Sequence, residues 1–391
     1  MNKDLPLVLF LHQSADLYGS DRVLLLMVRE FVARQILMPV VVLPEDGPLV
    51  AALSALSVEV HIADVGKVSR SMYTLSGMLK MPTRLSRGLR ALDAIVAGRT
   101  VIAVHSNTLA VLLGGLWART RHVHHVWHLH EILTSPKWVG IGLLAIVRMT
   151  ADIVICNSRK TQEWVLGAFP SMEPRSRVVF NGLPDQEPAH EITIKAFRSS
   201  LNAQADHVVV TLLGRISRIK GQAILIEAAA LLKLRQPSLR LKFAIVGGCA
   251  PGQEALLDRL VQRVQTLGLG DDVRFLPFVS DVSAVWQGSD IAVVPSVEPE
   301  SFGMVAIEAM RASIPVIASR QGGLMDVVLD GETGLLVTTG DPHGLADAIA
   351  ALAVDPGLRR RMGQAGRQRQ RSEFTLRNQA DALAKTYCVQ T

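Results

Sequence analysis

Cysteine is scarce: Cys156, Cys249 and Cys388 are the only three in 391 residues, and they are widely separated. The scarcity excludes a disulfide framework, no pair has a metal-ligand spacing, and a reducing cytoplasm is the expected setting. Long apolar runs are missing too. The stretch Trp138 to Val147 falls well short of the roughly 20 residues that span a bilayer. The start, Met1 to Leu11, holds one lysine and a short apolar run, but Asp4, Pro6 and the polar His12 to Asp16 leave no small-residue cleavage pattern. Leu5 to Leu11 therefore reads as a buried strand, not a leader. No Gly-x-Gly-x-x-Gly turn follows it, which counts against a nicotinamide-linked dehydrogenase. Low-complexity tracts are absent. The segment Leu358 to Val389 carries Arg359, Arg360, Arg361, Arg367, Arg369, Arg371 and Arg377 without interleaved aromatics, so it reads as a solvated helix face and no nucleic acid is expected as a partner.

What is present suits two cores. Hydrophobic residues make up 49% and charged ones 19%, and the length exceeds one ordinary domain. The net charge of +6 lies wholly in residues 1–182, with 19 Lys and Arg against 13 Asp and Glu; the remainder balances at 22 each. A basic first half either faces something anionic or is a solvated face. Short β-branched runs alternate with helical patterns: Leu5–Leu11, Pro39–Leu43, Val58–Ala63, Val101–Val104, His124–Leu129, Ala151–Ile155 and Arg177–Phe180. After a break at Leu183 to Ile192, with two prolines, the alternation restarts at His207–Leu213, Leu241–Val246, Val273–Leu276, Ile291–Pro295, Pro315–Ser319 and Gly334–Val337. The fold class is α/β, with two Rossmann-like, doubly wound parallel sheets. The expected domains are 1–183 and 193–365, a linker at 184–192, and a closing helix at 366–391 packing back towards the first domain. Such sheets bind ligands beyond the carboxyl ends of their strands, so two of them should face across a deep cleft.

Pro299 to Met310 reads PESFGMVAIEAM and sets Glu300 eight residues before Glu308, directly after a strand. The backbone N–H groups of Phe302, Gly303, Met304 and Val305 should form the first turn of a helix, where unpaired donors and the positive dipole end suit a phosphate. Upstream, Arg215 and Lys220 lie between a strand and a helix start. Fixed cations there can stabilise the charge that grows on a departing β-phosphate, in place of a divalent metal.

Together, Gly214-Arg215, Lys220-Gly221, Gly247-Gly248 and the Glu300 to Glu308 spacing resemble the retaining GT-B glycosyltransferases of family 4 (glycosyl transferases group 1). The likeness is strong from about Asn181 to Val337. It is also visible in Leu17-Tyr18-Gly19-Ser20, Val104-His105-Ser106-Asn107, His128-Leu129-His130-Glu131 and Val179-Phe180-Asn181-Gly182. The resemblance implies that Arg215 and Lys220 grip the donor diphosphate, Glu308 the ribose, and Glu300 the donor sugar. It places Gly19, Phe278, Val279, Phe302, Gly303, Met304 and Val305 at the donor and Ser20, Asp21 and Glu131 at the acceptor. Where the family often has two glycines, this chain has Gly19-Ser20.

His122, His124, His125, His128 and His130 cluster within nine residues, yet neither cysteine nor a carboxylate triad completes a metal shell. Alternation puts His124, His128 and His130 on one side of a strand. His130 matches the family histidine that touches the donor sugar. Glu300 and Glu308 invite a double displacement, but the resemblance sets Glu300 away from the attacked face. Front-face substitution is expected, with the β-phosphate accepting the acceptor's proton and no metal or other cofactor beside the nucleotide diphosphate sugar donor. Met72 to Leu92 interleaves Lys80, Arg84, Arg87 and Arg90 with apolar residues, as interfacial segments do, and Pro82 should interrupt any single helix there. A peripheral contact with the anionic inner membrane would deliver a lipid-linked acceptor. The expected reaction moves a hexose or deoxyhexose from a GDP- or UDP-linked donor to a glycan or lipid-linked acceptor, in cell-surface polysaccharide or lipopolysaccharide synthesis. The alternatives are a nucleotide-sugar 2-epimerase on the same plan, or a catalytically silent scaffold.

Overall fold

The structure is a computed structural model that describes residues 5–17, 19–68, 75–133, 136–185, 187–250 and 252–387, side chains 75–81 excepted. The chain forms two compact units, Met1–Pro184 with Thr375–Thr391, and Asp185–Phe374. In the first, β1 (Leu7–Leu11), β2 (Met38–Leu43), β3 (Glu59–Ile62), β4 (Val101–Ser106), β5 (His124–Leu129), β6 (Ile153–Cys156) and β7 (Ser176–Val178) pair in the order β3-β2-β1-β4-β5-β6-β7. In the second, β8 (Val208–Leu213), β9 (Leu241–Val246), β10 (Val273–Leu276), β11 (Ile291–Val294), β12 (Val316–Ser319) and β13 (Gly334–Val337) pair as β10-β9-β8-β11-β12-β13. Neighbouring strands run parallel, as in β1 with β2 and β4, or β8 with β9 and β11.

Parallel strands need helical crossovers, and these cover both faces, which is why the central strands are apolar on both sides. All five residues of β1 are buried. One face of the first sheet packs Phe10 against Leu24, Met27 and Phe31 of the helix Gly19–Ala33 and against Leu383 and Tyr387. The other face buries Leu9, Leu11, Val104 and Trp117. In the second unit Ile226, Ile245, Ile349 and Leu352 lie in one core, and Phe197, Val209 and Val246 in a smaller one.

The apolar stretch at Trp138 lies in the helix Lys137–Thr150, and no described helix is long and apolar enough to cross a membrane. Three local expectations need correction. Pro82 does not interrupt the helix Leu75–Val96 but lies inside it. A proline removes one backbone donor, and at an exposed position the chain can continue through it. The closing segment is two helices, Pro356–Glu373 and Leu376–Thr386, divided at Phe374, with the Thr375 side chain capping the second. The second belongs to the first unit: Leu376 N–H donates to Leu183 O at 3.2 Å, and Gly182 N–H donates to Gln379 Oε1 at 2.9 Å. The helix Glu191–Ser200 starts inside the expected linker.

Candidate functional site

In an open parallel sheet the strand order reverses at one point, where diverging crossovers leave a crevice at the carboxyl ends. The reversal lies between β1 and β4 in the first unit and between β8 and β11 in the second. The chemistry-bearing residues collect at both points.

In the first unit, register does the gathering. Leu11 pairs with Ser106 and Ser106 with Trp127, so the residues just beyond, His12, Asn107 and His128, lie side by side. Alternation then turns His12, His105, Asn107, His128 and His130 to one face. His12 Nε2 lies 2.6 Å from Asp21 Oδ1, which also accepts from Ser14 Oγ. Asn107 Nδ2 is 3.1 Å from His12 Nδ1, and its Oδ1 is 3.2 Å from both His130 Nε2 and His105 Nε2. His105 Nδ1 lies 2.6 Å from Tyr387 Oη. Burial pushes the His105 and His130 imidazoles down to about 3, so both are neutral, and keeps the Tyr387 phenol protonated, well above its usual range. Glu131 Oε2 accepts from the N–H groups of Leu109 (3.2 Å) and His130 (3.3 Å). Burial pushes its carboxyl up to about 7.

In the second unit the site is ionic. Lys220 Nζ donates to Glu300 Oε1 at 2.7 Å, with the two side chains 27% and 15% exposed. Ser296 Oγ, just past β11, donates to the same oxygen, and Gln321 Nε2 donates to Ser296 O. The Glu300 backbone is clamped as well: its carbonyl accepts from Gly323 N–H at 2.7 Å, and Gly322, at φ +58°, packs so closely that a Cβ would collide with the Glu300 carbonyl oxygen. Gly303, at φ +118°, caps the helix Met304–Arg311, whose first bond runs from Ala306 N–H to Gly303 O. The N–H groups of Met304 and Val305 precede that bond and are available to an anion. Arg215 is exposed and makes no ion pair among the described residues.

The expected donor-side set is thus brought together in part. Lys220 and Glu300 are in contact, and Glu308 is buried at 4% exposure, not a surface helix residue. Phe302 is buried edge-on against Phe374, so its ring is a core element; Phe278 is 67% exposed. Gly19 opens its helix with nothing within 4 Å of an added Cβ, Ser20 is partly exposed and Asp21 is buried against His12. The histidine run divides. His128 and His130 stack at 4.0 Å, whereas His124, at the other end of β5, bonds Thr386 O at 2.8 Å and His125 faces Ser106. Among the described residues no group of three or more His, Cys, Asp or Glu could hold a metal ion. In the basic segment Arg84 is taken up by Asp64, and Met72–Thr74 and the Lys80 side chain lie outside the described residues. Sequence reasoning missed His12, Asn107, Ser296, Gln321, Gly322 and Tyr387. Only the short polar runs directly after β1 and β4 could have signalled the first two.

The glycosyl transferases group 1 profile matches residues 193–369, and the Glycosyltransferase Family 4 profile matches 17–187. D-inositol 3-phosphate glycosyltransferases are similar in sequence. That of Corynebacterium glutamicum is 36% identical over 55% of this chain and 52% of the relative; that of Saccharomonospora viridis is 33% identical over 65% and 59%. The chain therefore spans little more than half the length of these curated relatives. Among solved structures, HepE of Anabaena in complex with UDP superposes with a TM-score of 0.83 at 26% identity, covering 97% of this chain and 99% of that one. HepE in complex with UDP-glucose gives 0.81 over 98% and 99%. A glycosyltransferase from Rickettsia africae reaches 0.84 over 98% of both chains at 18% identity, a likeness of fold alone. With two matched halves, two doubly wound sheets and polar residues gathered at both reversals, the chain belongs to the family 4 glycosyltransferases, glycosyl transferases group 1, of GT-B fold.

Proposed function

We propose that this chain is a retaining, metal-independent hexosyltransferase that takes its sugar from a UDP-linked donor. The observation that carries the reading is the Lys220–Glu300 pair held at the reversal of the second sheet, beside the start of the helix Met304–Arg311. Lys220, with Arg215, neutralises the donor diphosphate, the N–H groups of Met304 and Val305 add donors, and Glu308 holds the ribose. Binding exchanges one partner of Glu300 for a sugar hydroxyl and turns Lys220 to phosphate. The cation then stabilises the leaving group in the transition state, where its charge is largest. His130 meets the donor sugar, and Ser20, Asp21 and Glu131 serve the acceptor. The acceptor oxygen bonds to the anomeric carbon on the face from which the β-phosphate departs, and that phosphate takes the acceptor's proton. UDP is favoured over GDP because HepE, aligned over nearly the whole chain, is complexed with UDP and with UDP-glucose.

The acceptor is a hydroxyl of a glycan or a lipid-linked sugar. Inositol 3-phosphate is a second reading, favoured by the names of the sequence relatives. The test is a donor screen in excess chelator, with acceptors of each class, read by release of nucleotide diphosphate and by the anomeric proton signal of the product. UDP-glucose turnover with retained configuration is expected. A requirement for added metal, an inverted product, or turnover with GDP donors alone refutes the corresponding part.

A further inference from the structure

The polar network of the first unit fixes more than positions. An amide nitrogen only donates and an amide oxygen only accepts. His12 Nε2 faces the Asp21 carboxylate at 2.6 Å and must carry a proton, so in neutral His12 the Nδ1 is a lone pair. That lone pair accepts from Asn107 Nδ2, which sets the orientation of the amide and turns Asn107 Oδ1 towards His105 and His130. Both of those histidines must then donate through Nε2, filling the two lone pairs of Oδ1. The Tyr387 hydroxyl closes the chain by donating to His105 Nδ1. One nitrogen remains. His130 Nδ1 has no hydrogen bond among the described residues and is not among the fully buried unpaired atoms.

We infer that Asn107 is a positioning residue that locks His130 in the Nε2–H tautomer, leaving Nδ1 as an acceptor that receives a hydroxyl proton donor from the ligand. On the proposed glycosyl-transfer reading, on which this last clause rests, the hydroxyl belongs to the donor sugar, and an analogue with hydrogen or methoxy at that carbon forfeits the bond. The lock makes His130 a recognition group and not a general acid, since its proton is committed to Asn107 and the ring stays neutral in the buried setting. It also gives the last helix a chemical task. Tyr387, 282 positions from His105, occupies the one nitrogen through which His105 could present its other tautomer.

The test is long-range proton–nitrogen correlation spectroscopy on the protein with its eleven histidines nitrogen-labelled, His12, His105 and His130 being assigned by single replacement with Gln. The wild-type spectrum should show all three with protonated Nε2 and unprotonated Nδ1. In Asn107→Ala the His130 signals should move to tautomer averaging, and in Asn107→Asp, whose carboxylate still accepts, they should keep the Nε2–H pattern. A protonated Nδ1 or an imidazolium at His130 in the wild type overturns the inference, as does an unchanged His130 pattern in Asn107→Ala. The wild-type spectrum decides even where a variant does not fold. No turnover enters these readings, so failure of the lock is distinct from failure of the glycosyl-transfer reading, which absence of nucleotide-sugar turnover in the wild type would expose; His130→Ala with unchanged turnover would overturn only the contact between His130 and the donor sugar.

Discussion

Replacing Lys220 by Met separates what the ion pair does for the fold from what it does for the reaction. The variant leaves the Glu300 carboxylate, 15% exposed, with Ser296 Oγ as its remaining side-chain donor among the described residues. Removing one partner of a deeply buried pair costs about 3–5 kcal/mol, but solvent reaches both groups here, so about 1–2 kcal/mol is expected. For a unit of this size that lowers the melting midpoint by about 2–8 °C. The reaction should suffer more. Loss of a preorganised donor to the developing phosphate charge costs about 3–4 kcal/mol, a fall of about 10²–10³ in kcat. The double variant Lys220→Met, Glu300→Gln removes the stranded charge, so its midpoint should return to within about 2 °C of wild type while turnover stays low. Calorimetry and UDP release from UDP-glucose read the two effects on the same samples. Turnover of Lys220→Met within about threefold of wild type, or turnover that recovers with stability in the double variant, would refute the assignment of Lys220 to the diphosphate.

Glu131, held up at about 7 against 4.5 in the unfolded chain, favours the fold when protonated. Its contribution is full below pH 4.5, declines as pH rises to about 7 and is absent above. Glu131→Gln should therefore flatten that part of the stability curve by at most about 3 kcal/mol, and a wild-type urea profile already flat there contradicts the shift. Gly322→Ala should displace the Glu300 backbone and lower donor turnover at least about tenfold, with stability falling by about 1–3 kcal/mol; unchanged donor kinetics would show that the clamp is dispensable. His128, fully buried, has no hydrogen-bond partner for either ring nitrogen among the described residues. His128→Leu should thus leave the stability unchanged or raise it by about 1–3 kcal/mol, and a clear fall in the melting midpoint would reveal a hidden partner.

All thirteen strands were legible because a parallel strand is buried on both faces and leaves an unbroken apolar run. His124–Leu129, Leu241–Val246, Val273–Leu276 and Gly334–Val337 match residue for residue, and the others differ at their ends, where the last ladder bond depends on the neighbour. Glu300 and Lys220 were legible as local motifs at strand ends, but not their contact across 80 positions. Asn107 had only the short polar run after β4 as a local signal, and Tyr387 had none. Their roles come from strand register and from a closing helix that returns to the first unit, neither of which a one-dimensional pattern carries. The histidine run misled for the same reason. Alternation placed His124, His128 and His130 on one face, but four residues of strand put His124 roughly 13 Å from His128.

The two reversals now differ in kind. At the second, Lys220 and Glu300 are ionic partners close to solvent, with Arg215 exposed nearby in sequence, a set able to take up a charged group and release it. At the first, burial holds His105 and His130 near 3, and so neutral, and lifts Glu131 to about 7, while the Asp21 carboxylate is enclosed against His12. Neutral donors and acceptors discriminate hydroxyls, because a buried polar group left unmatched costs more than a matched one gains. Some of the basic side chains of the first half are paired with acids within it. Arg84, Arg99 and Arg121 are spent on Asp64, Glu59 and Asp93. Net charge thus says less about a ligand than the protonation of the few groups gathered at a sheet reversal.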